Sequence, residues 1–424
     1  MKNRLIVALL LLWLCTGAHC APPGSDTFNL DGVDFYQLFN DPEGHLKLNP
    51  RLKTDDRIRA HGYPAELHHV PTEDGYIIGL FRIPYSHKLQ NQQTNRPIVL
   101  MQHGISGSSD NWISMGPDNA LAFQLVDAGY DVWIGNARGN TYSRNHTWLS
   151  TQHPYFWRFS WHEIGYFDIA AMIDYALKAN GQGQEAIHYV GHSQGTTVFL
   201  ALMSTRPEYN AKIKTSQLLA PVAYMNNMGS LLAKATGPYL GHRTVYALML
   251  ESQEFLPYND FLLAFLYNTC GPDSRFLNYC KQLHNISNKG RANSTATAIN
   301  AVTTPAGVST NQFLHYLQEQ QSGHFRLYDF GAKKNLIAYN AEVPPDYPTN
   351  LINCETHLWY ADNDEMAAVE DVRRLAEALP NKVMHHMEDP LWNHGDFATN
   401  WEVRKYINDP IIQIMNEFED ALQN

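Results

Sequence analysis

Short apolar runs that read as buried strands alternate with helix-periodic stretches along most of the chain. "PIVLMQHG" is followed by the helical "NALAFQLVDAG", then "YDVWIGNARG", the helical "EIGYFDIAAMIDYALKANG", "AIHYVGHS", the helical "QGTTVFLALMS" and "SQLLAPVAY". A helix between each pair of strands returns the chain to the same edge of a sheet, so the expected fold class is α/β with a mainly parallel sheet flanked by helices. Functional residues of such sheets gather at the carboxyl ends of the strands. The rhythm breaks over residues 224–348, which are rich in apolar and aromatic side chains, and resumes with "THLWYADND", "VEDVRRLAEALPN", "KVMHHME" and a last helix in "DPIIQIMNEFEDAL". The expected organisation is a core of residues 51–223 and 349–424 with 224–348 inserted as a cap or lid. Ahead of the parallel strands, "AELHHVPTEDGYIIGLFRIPY" reads as an antiparallel hairpin turning at Asp74-Gly75.

The first twenty residues have the pattern of a secretory signal peptide: "MKNR" is basic, "LIVALLLLWLCTG" apolar, and "AHCA" a small-residue cleavage site near Cys20 or Ala21. Residues 21–50 then form a loosely organised N-terminal segment. No later stretch approaches about eighteen consecutive apolar residues, so no transmembrane segment is expected. A formal net charge of -11 without long charge runs argues against nucleic acid as a partner. Beyond the leader, Cys270 and Cys280 flank the short loop "CGPDSRFLNYC", for which a local disulfide is the economical reading; Cys354 is then a lone, buried thiol. Asn145, Asn285 and Asn293 lie in N-x-[ST] glycosylation sequons, consistent with the secretory route.

The chemistry centres on "YVGHSQGTT", where G-x-S-x-G falls between a strand and a helix. A serine at the tip of so tight a turn needs a strained backbone, and a Cβ two residues to either side would strike neighbouring chain. Glycine at 191 and 195 removes both. Ser193 is thereby presented outward beside the free N–H groups of a helix start. A serine hydroxyl is a weak nucleophile and needs a base held by a carboxylate, expected downstream in the order Asp or Glu, then His. "THLWYADND" offers Asp362 and Asp364 at a strand end, and "DPLWNHGDF" places His394 in the loop before the last helix. Asp364 is the expected acid because two further residues carry it past the strand into the loop. The expected oxyanion donors are the backbone N–H groups of Ile105, in "QHGISGSS", and of Gln194. His385 and His386 are adjacent in a strand, as are His68 and His69, so each pair points to opposite faces. No metal and no cofactor is expected.

"HGYPAELHHVPTEDGYIIGLFRIP", "LMQHGISGSSDNWI", "LAFQLVDAGYDVWIGNARGNTYSR", "YVGHSQGTT", "NTCGPDSRFLNYC" and "NHGDF" together resemble, in order, the acid lipase family of gastric and lysosomal acid lipases with its many insect members. The resemblance implies an α/β-hydrolase core with an inserted cap, and hydrolysis of neutral lipid esters, triacylglycerols or sterol esters, at a lipid–water interface. It also implies Ser193, Asp364 and His394 as the triad, Ile105 and Gln194 as oxyanion donors, and Cys270 paired with Cys280. Family members commonly carry "HGLL" where this chain has "HGIS". The apolar segments "GSLLAKA", "TVYALML" and "NDFLLAFLYNT" are expected either to cover an acyl site as a mobile lid or to form ordinary cap core. Rival expectations are a carboxylesterase acting on smaller soluble esters and a catalytically silent lipid-binding protein. Location is expected to be secreted or lysosomal.

Overall fold

The computed structural model describes residues 52–92, 95–256, 296, 299–300 and 303–423. The leader, the segment 21–50, Cys270, Cys280, Asn285, Asn293 and "NDFLLAFLYNT" lie outside the described residues.

After a first helix, α1 (Thr54–Ala60), strands β1 (Glu66–Pro71) and β2 (Tyr76–Ile83) form the expected antiparallel hairpin, with Gly75 at φ 97° in its turn. There follow β3 (Ile98–Gln102), α2 (Leu121–Asp127), β4 (Asp131–Ile134) and the two-residue β5 (Asn145–His146). A helical stretch then runs from Trp161 through a π-helical segment, Ile164–Ile169, into α3 (Ala170–Asn180), which stops at Gly181 in the left-handed conformation. Next come β6 (Ile187–His192), α4 (Gln194–Thr205) and β7 (Ile213–Leu219). The interval 224–348 contributes α5 (Leu231–Leu240), α6 (Val245–Leu250), the short pair β8 (Glu254–Phe255) and β9 (Val308–Ser309), α7 (Thr310–Ser322) and α8 (Ala332–Tyr339). The chain closes with β10 (Glu355–Ala361), α9 (Val369–Ala378), β11 (Lys382–Met387), α10 (Asp396–Thr399) and α11 (Asp409–Gln423).

Among the described residues, one sheet has the order β1-β2-β4-β3-β6-β7-β10-β11, with β5 paired to β2. From β4 to β11 all pairings are parallel. β3, β6 and β7 are almost wholly buried, as strands covered on both faces are; β3 is apolar up to Gln102, whereas β6 and β7 also bury His188, Thr215, Ser216 and Gln217. The register aligns the carboxyl ends: Gln102 lies opposite Gly191, His192 opposite Leu219, Leu219 opposite Trp359, and Ala361 opposite Met387. The loops leaving β3, β6, β10 and β11 therefore emerge along one edge, which is where the sequence places Ile105, Ser193, Asp364 and His394.

α4 follows β6 directly and is buried from Gln194 to Ser204, which makes it a central helix apolar on nearly every side. In the 224–348 interval, α5 and α6 pack on α7, and Ala247, Leu314 and Tyr328 form a small apolar cluster separate from the main core. α7 is capped by Ser309, whose hydroxyl accepts from the Asn311 N–H, and ends at left-handed Gly323. Cys354 is a free, buried thiol whose pKa burial pushes up to about 11.

One buried ionic group ties the hairpin to the helical layer. Arg138, 1% exposed, donates through Nε to Asp168 at 2.8 Å and through Nη2 to Asp74 at 2.9 Å, and its guanidinium lies 3.9 Å from the centre of the Tyr76 ring. Replacing Arg138 by Leu leaves the fully buried Asp168 carboxylate without its cation, keeping only the backbone N–H of residue 138, and is expected to cost about 3–5 kcal/mol. Urea-unfolding midpoints check this, and adding Asp168→Leu to Arg138→Leu should restore much of the loss.

Candidate active site

Ser193 sits at φ 53° and ψ -119°, a conformation that L-residues adopt only when their surroundings enforce it. Three sets of contacts enforce it here. The Ser193 N–H donates to the Leu219 carbonyl at 3.0 Å, fixing the turn to the end of β7. The Ser193 carbonyl accepts from the backbone N–H of Thr196 at 2.8 Å and from its hydroxyl at 2.6 Å, and the Tyr189 hydroxyl donates to the Gly195 carbonyl at 2.7 Å. Finally, the backbone of Gly195 lies so near the end of β3 that a Cβ would fall on the Gln102 carbonyl, while a Cβ on Gly191 would come within 2.7 Å of the Gly195 backbone. The two glycines are thus required by close approach.

His394 Nε2 lies 2.7 Å from Ser193 Oγ, and its Nδ1 lies 2.9 and 3.0 Å from the two carboxylate oxygens of Asp364. An ionised carboxylate only accepts, so Nδ1 carries the proton and Nε2 is left bare toward the serine hydroxyl. The Asp364 side chain is fully buried. Burial alone would raise its pKa, but His394 and the backbone N–H groups of Ala367 and Met366, each 2.8 Å from Oδ1, outweigh that and hold it below the ordinary carboxylate value. Asp362 is exposed and engages His386 Nε2 at 2.9 Å. The strand ends at Ala361, and this decides which aspartate reaches His394. Asp396 does not serve the base either: it accepts from the Asn393 N–H at 2.8 Å and from Asn400 Nδ2 at 3.1 Å, closing the turn that carries His394.

The turn after β3 lies beside the serine: a Cβ on Gly104 would be 3.1 Å from the Cβ of Ser193. Ile105 is half-buried, and neither its N–H nor that of Gln194 donates to an acceptor among the described residues. Ser106, the second of the two positions at which "HGIS" departs from "HGLL", has φ 57°, and its carbonyl accepts from the Ala306 N–H at 2.8 Å.

Two histidines missed by sequence reasoning hold these loops. His103 Nε2 accepts from the Ala137 N–H at 3.1 Å, so its Nδ1 donates to the Gly104 carbonyl at 2.7 Å; burial brings its pKa down to about 4. His192 Nε2 donates to the backbone carbonyl of His394 at 2.8 Å, and burial, reinforced by His394, likewise brings its pKa to about 4. Both stay neutral above that pH. Their one signal in the sequence was adjacency to Gly104 and Ser193. Of the remaining expectations, Asn145 is exposed on β5. Among the described residues, no group of three or more His, Cys, Asp and Glu side chains is disposed to hold a metal ion, and no helix is long and apolar enough to cross a membrane.

Comparison with known proteins gives two family matches: residues 54–116 match the partial alpha/beta-hydrolase lipase region, and residues 97–397 match the alpha/beta hydrolase fold. The chain is 43% identical to Lipase 3 of Drosophila melanogaster over 368 residues, covering 86% of this chain and 93% of that one. It is 37% identical to gastric triacylglycerol lipase of Bos taurus and 36% identical to that of Homo sapiens, in each case over 88% of this chain and 94% of the relative.

The contrast between the two aspartates yields a direct measurement. Asp364→Asn is expected to lower kcat on a soluble ester by about 10⁴-fold, whereas Asp362→Asn, which removes an exposed pair, should leave it within about twofold. The same carboxylate makes stability depend on pH. Since its folded pKa is depressed, its stabilising contribution is complete above about pH 4 and is lost as pH falls from there through the lower folded value. Over that window the wild type should lose more unfolding free energy than Asp364→Asn.

Proposed function

The chain belongs to the α/β-hydrolase-fold lipases, and we propose that it hydrolyses triacylglycerols and related neutral lipid esters through an acyl-enzyme on Ser193. As a lipase it is a carboxylic ester hydrolase. The observation that carries the residue assignment is the continuous contact from Ser193 Oγ through His394 to the buried Asp364 carboxylate at the strand ends.

In this mechanism His394 Nε2 takes the hydroxyl proton as Ser193 Oγ attacks the ester carbonyl. The carbonyl π pair moves onto oxygen, and the N–H groups of Ile105 and Gln194 receive the resulting oxyanion. Asp364 holds the imidazolium that forms, as its depressed pKa equips it to do. Collapse expels the diacylglycerol or other alcohol, which takes the proton from His394. Water, deprotonated by the same imidazole, then attacks the acyl-serine, and its collapse releases the fatty acid and returns the proton to Ser193.

Contact with a lipid surface is supported by α5 and α6, where Leu231, Tyr239, Val245, Tyr246 and Met249 are exposed and residues 231–250 contain no acidic side chain in a chain of net charge -11. We assign residues 224–348 as a cap over a core of 51–223 and 349–424; the small cluster around Ala247, Leu314 and Tyr328 gives this interval packing of its own. Entry into the secretory route is supported by the leader pattern and by the exposure of Asn145 within its sequon.

Ser193→Ala is expected to lose about 10⁵–10⁶-fold in kcat and to resist a fluorophosphonate probe that labels the wild type. Rates on triacylglycerol should rise sharply as substrate passes its solubility limit into emulsion. Cleavage confined to dissolved short-chain esters would instead favour a carboxylesterase.

A further inference from the structure

Gln194 has a buried side chain as well as the backbone N–H assigned to the oxyanion, and that side chain leads out of the core domain. Its Nε2 donates to Oε1 of Gln312 on α7 at 2.8 Å; the two residues are 3% and 2% exposed. One turn along, the Tyr316 hydroxyl donates to Thr197 Oγ1 at 2.9 Å, and Thr197 in turn donates to the Val222 carbonyl at 2.7 Å. Residues 312 and 316 share one face of α7, and residues 194 and 197 share one face of α4, so two side-chain bonds clamp the helices together at the first turn of α4.

α7 is itself held at a further point. His315 is 2.9 Å from Ser160 Oγ and 2.8 Å from the Arg326 carbonyl, and its ring stacks on Trp161 at 3.9 Å between centres. Burial lowers the His315 pKa to about 3, so the ring is neutral and this anchor does not titrate away under mild acidity. The clamp therefore joins the serine turn to a fixed element.

The Gln194–Gln312 bond is also an inefficient way to hold two helices. Gln194 Oε1 is buried with no partner among the described residues, and an apolar pair of similar shape would be at least as stable there. What the amide pair adds is direction. The aim of the Gln194 N–H is set by rotation about the Ser193 Cα–C bond, and that rotation also swings the Gln194 Cα, so an anchor on the Gln194 side chain restrains the peptide plane at its strained setting. We propose that Gln312 is a positioning residue for the oxyanion-binding amide of Gln194, so that α7 belongs to the catalytic centre and is not part of a moving lid. This inference rests on the assignment of the Gln194 N–H as an oxyanion donor.

The test uses the full chain, a soluble ester, and an alkyl boronic acid that forms a tetrahedral adduct on the serine. Gln312→Leu should lower kcat by about tenfold, part of the 10²–10³-fold loss seen when such a donor is removed outright, with KM and the pH profile unchanged. Boronic acid affinity should fall by a similar factor. Gln312→Glu keeps an acceptor oxygen for Gln194 Nε2 and should recover most of both, which a purely structural role would not produce. Gln194→Met breaks the same bond from the other side and serves where Gln312→Leu does not fold; if both fold, the double variant should be no worse than the poorer single one. Unchanged kcat and boronic acid affinity in Gln312→Leu, or fully additive losses in the double variant, overturn the proposal. With 15N-glutamine labelling, the Gln194 amide proton should move downfield in the wild-type adduct and less so in Gln312→Leu. If it does not move in the wild type, the oxyanion assignment itself fails; if it moves equally in both, only the role of Gln312 fails.

Discussion

The arrangement around Ser193 depends on the approach of the first turn of α4 to the end of β3, where Gly195 meets the Gln102 carbonyl with no room for a side chain. That approach lets β6 pass into α4 through a single left-handed residue. It also sets the serine beside the Gly104 turn on one side and the His394 loop on the other. A methyl group at 195 would push α4 away from β3 and separate all three. The strain at Ser193 is sustained by its bonds to Leu219 and Thr196, and Thr196 Oγ1 in turn accepts from the Val222 N–H, so that the neighbouring β7 and its following loop help hold the turn.

The electrostatics follow from depth as much as from residue identity. Three histidines lie within this neighbourhood, but only His394 has a carboxylate at hydrogen-bond distance. His103 and His192 are kept neutral by burial and donate to main-chain carbonyls, which gives them a single tautomer and a fixed direction. Asp362 and Asp364 are two residues apart, yet one faces solvent with His386 and the other is enclosed with His394. The enclosed pair gains from low polarity and two further backbone donors, and the exposed pair does not.

Much of this was legible in the sequence, because strands, crossover helices and glycine-bounded turns are written in local periodicity and punctuation. The alternation from "PIVLMQHG" to "SQLLAPVAY" and again after 349 corresponds to β3 through β7 and β10 through α11. The order of Ser193, Asp364 and His394 could be read from where strands were expected to end. α7 was not legible as a central element, since its buried positions include Thr310, Asn311, Gln312, His315, Gln318 and Glu319, and a count of apolar residues sees no stripe there. The parts played by His103 and His192 depend on partners 34 and 202 residues away, which no local pattern encodes.

The order of strands in the sheet has a consequence for the newly made chain. The serine and the imidazole that faces it are 201 residues apart, and the imidazole is carried by the loop leaving β11, at the far edge of the sheet. Until β10 and β11 have added to β7, the turn bearing Ser193 can be fully formed and still lack the imidazole that faces it. In chain order the last parallel strands therefore complete the constellation that the first half of the sheet only begins, through a contact of long sequence separation of the kind that forms late.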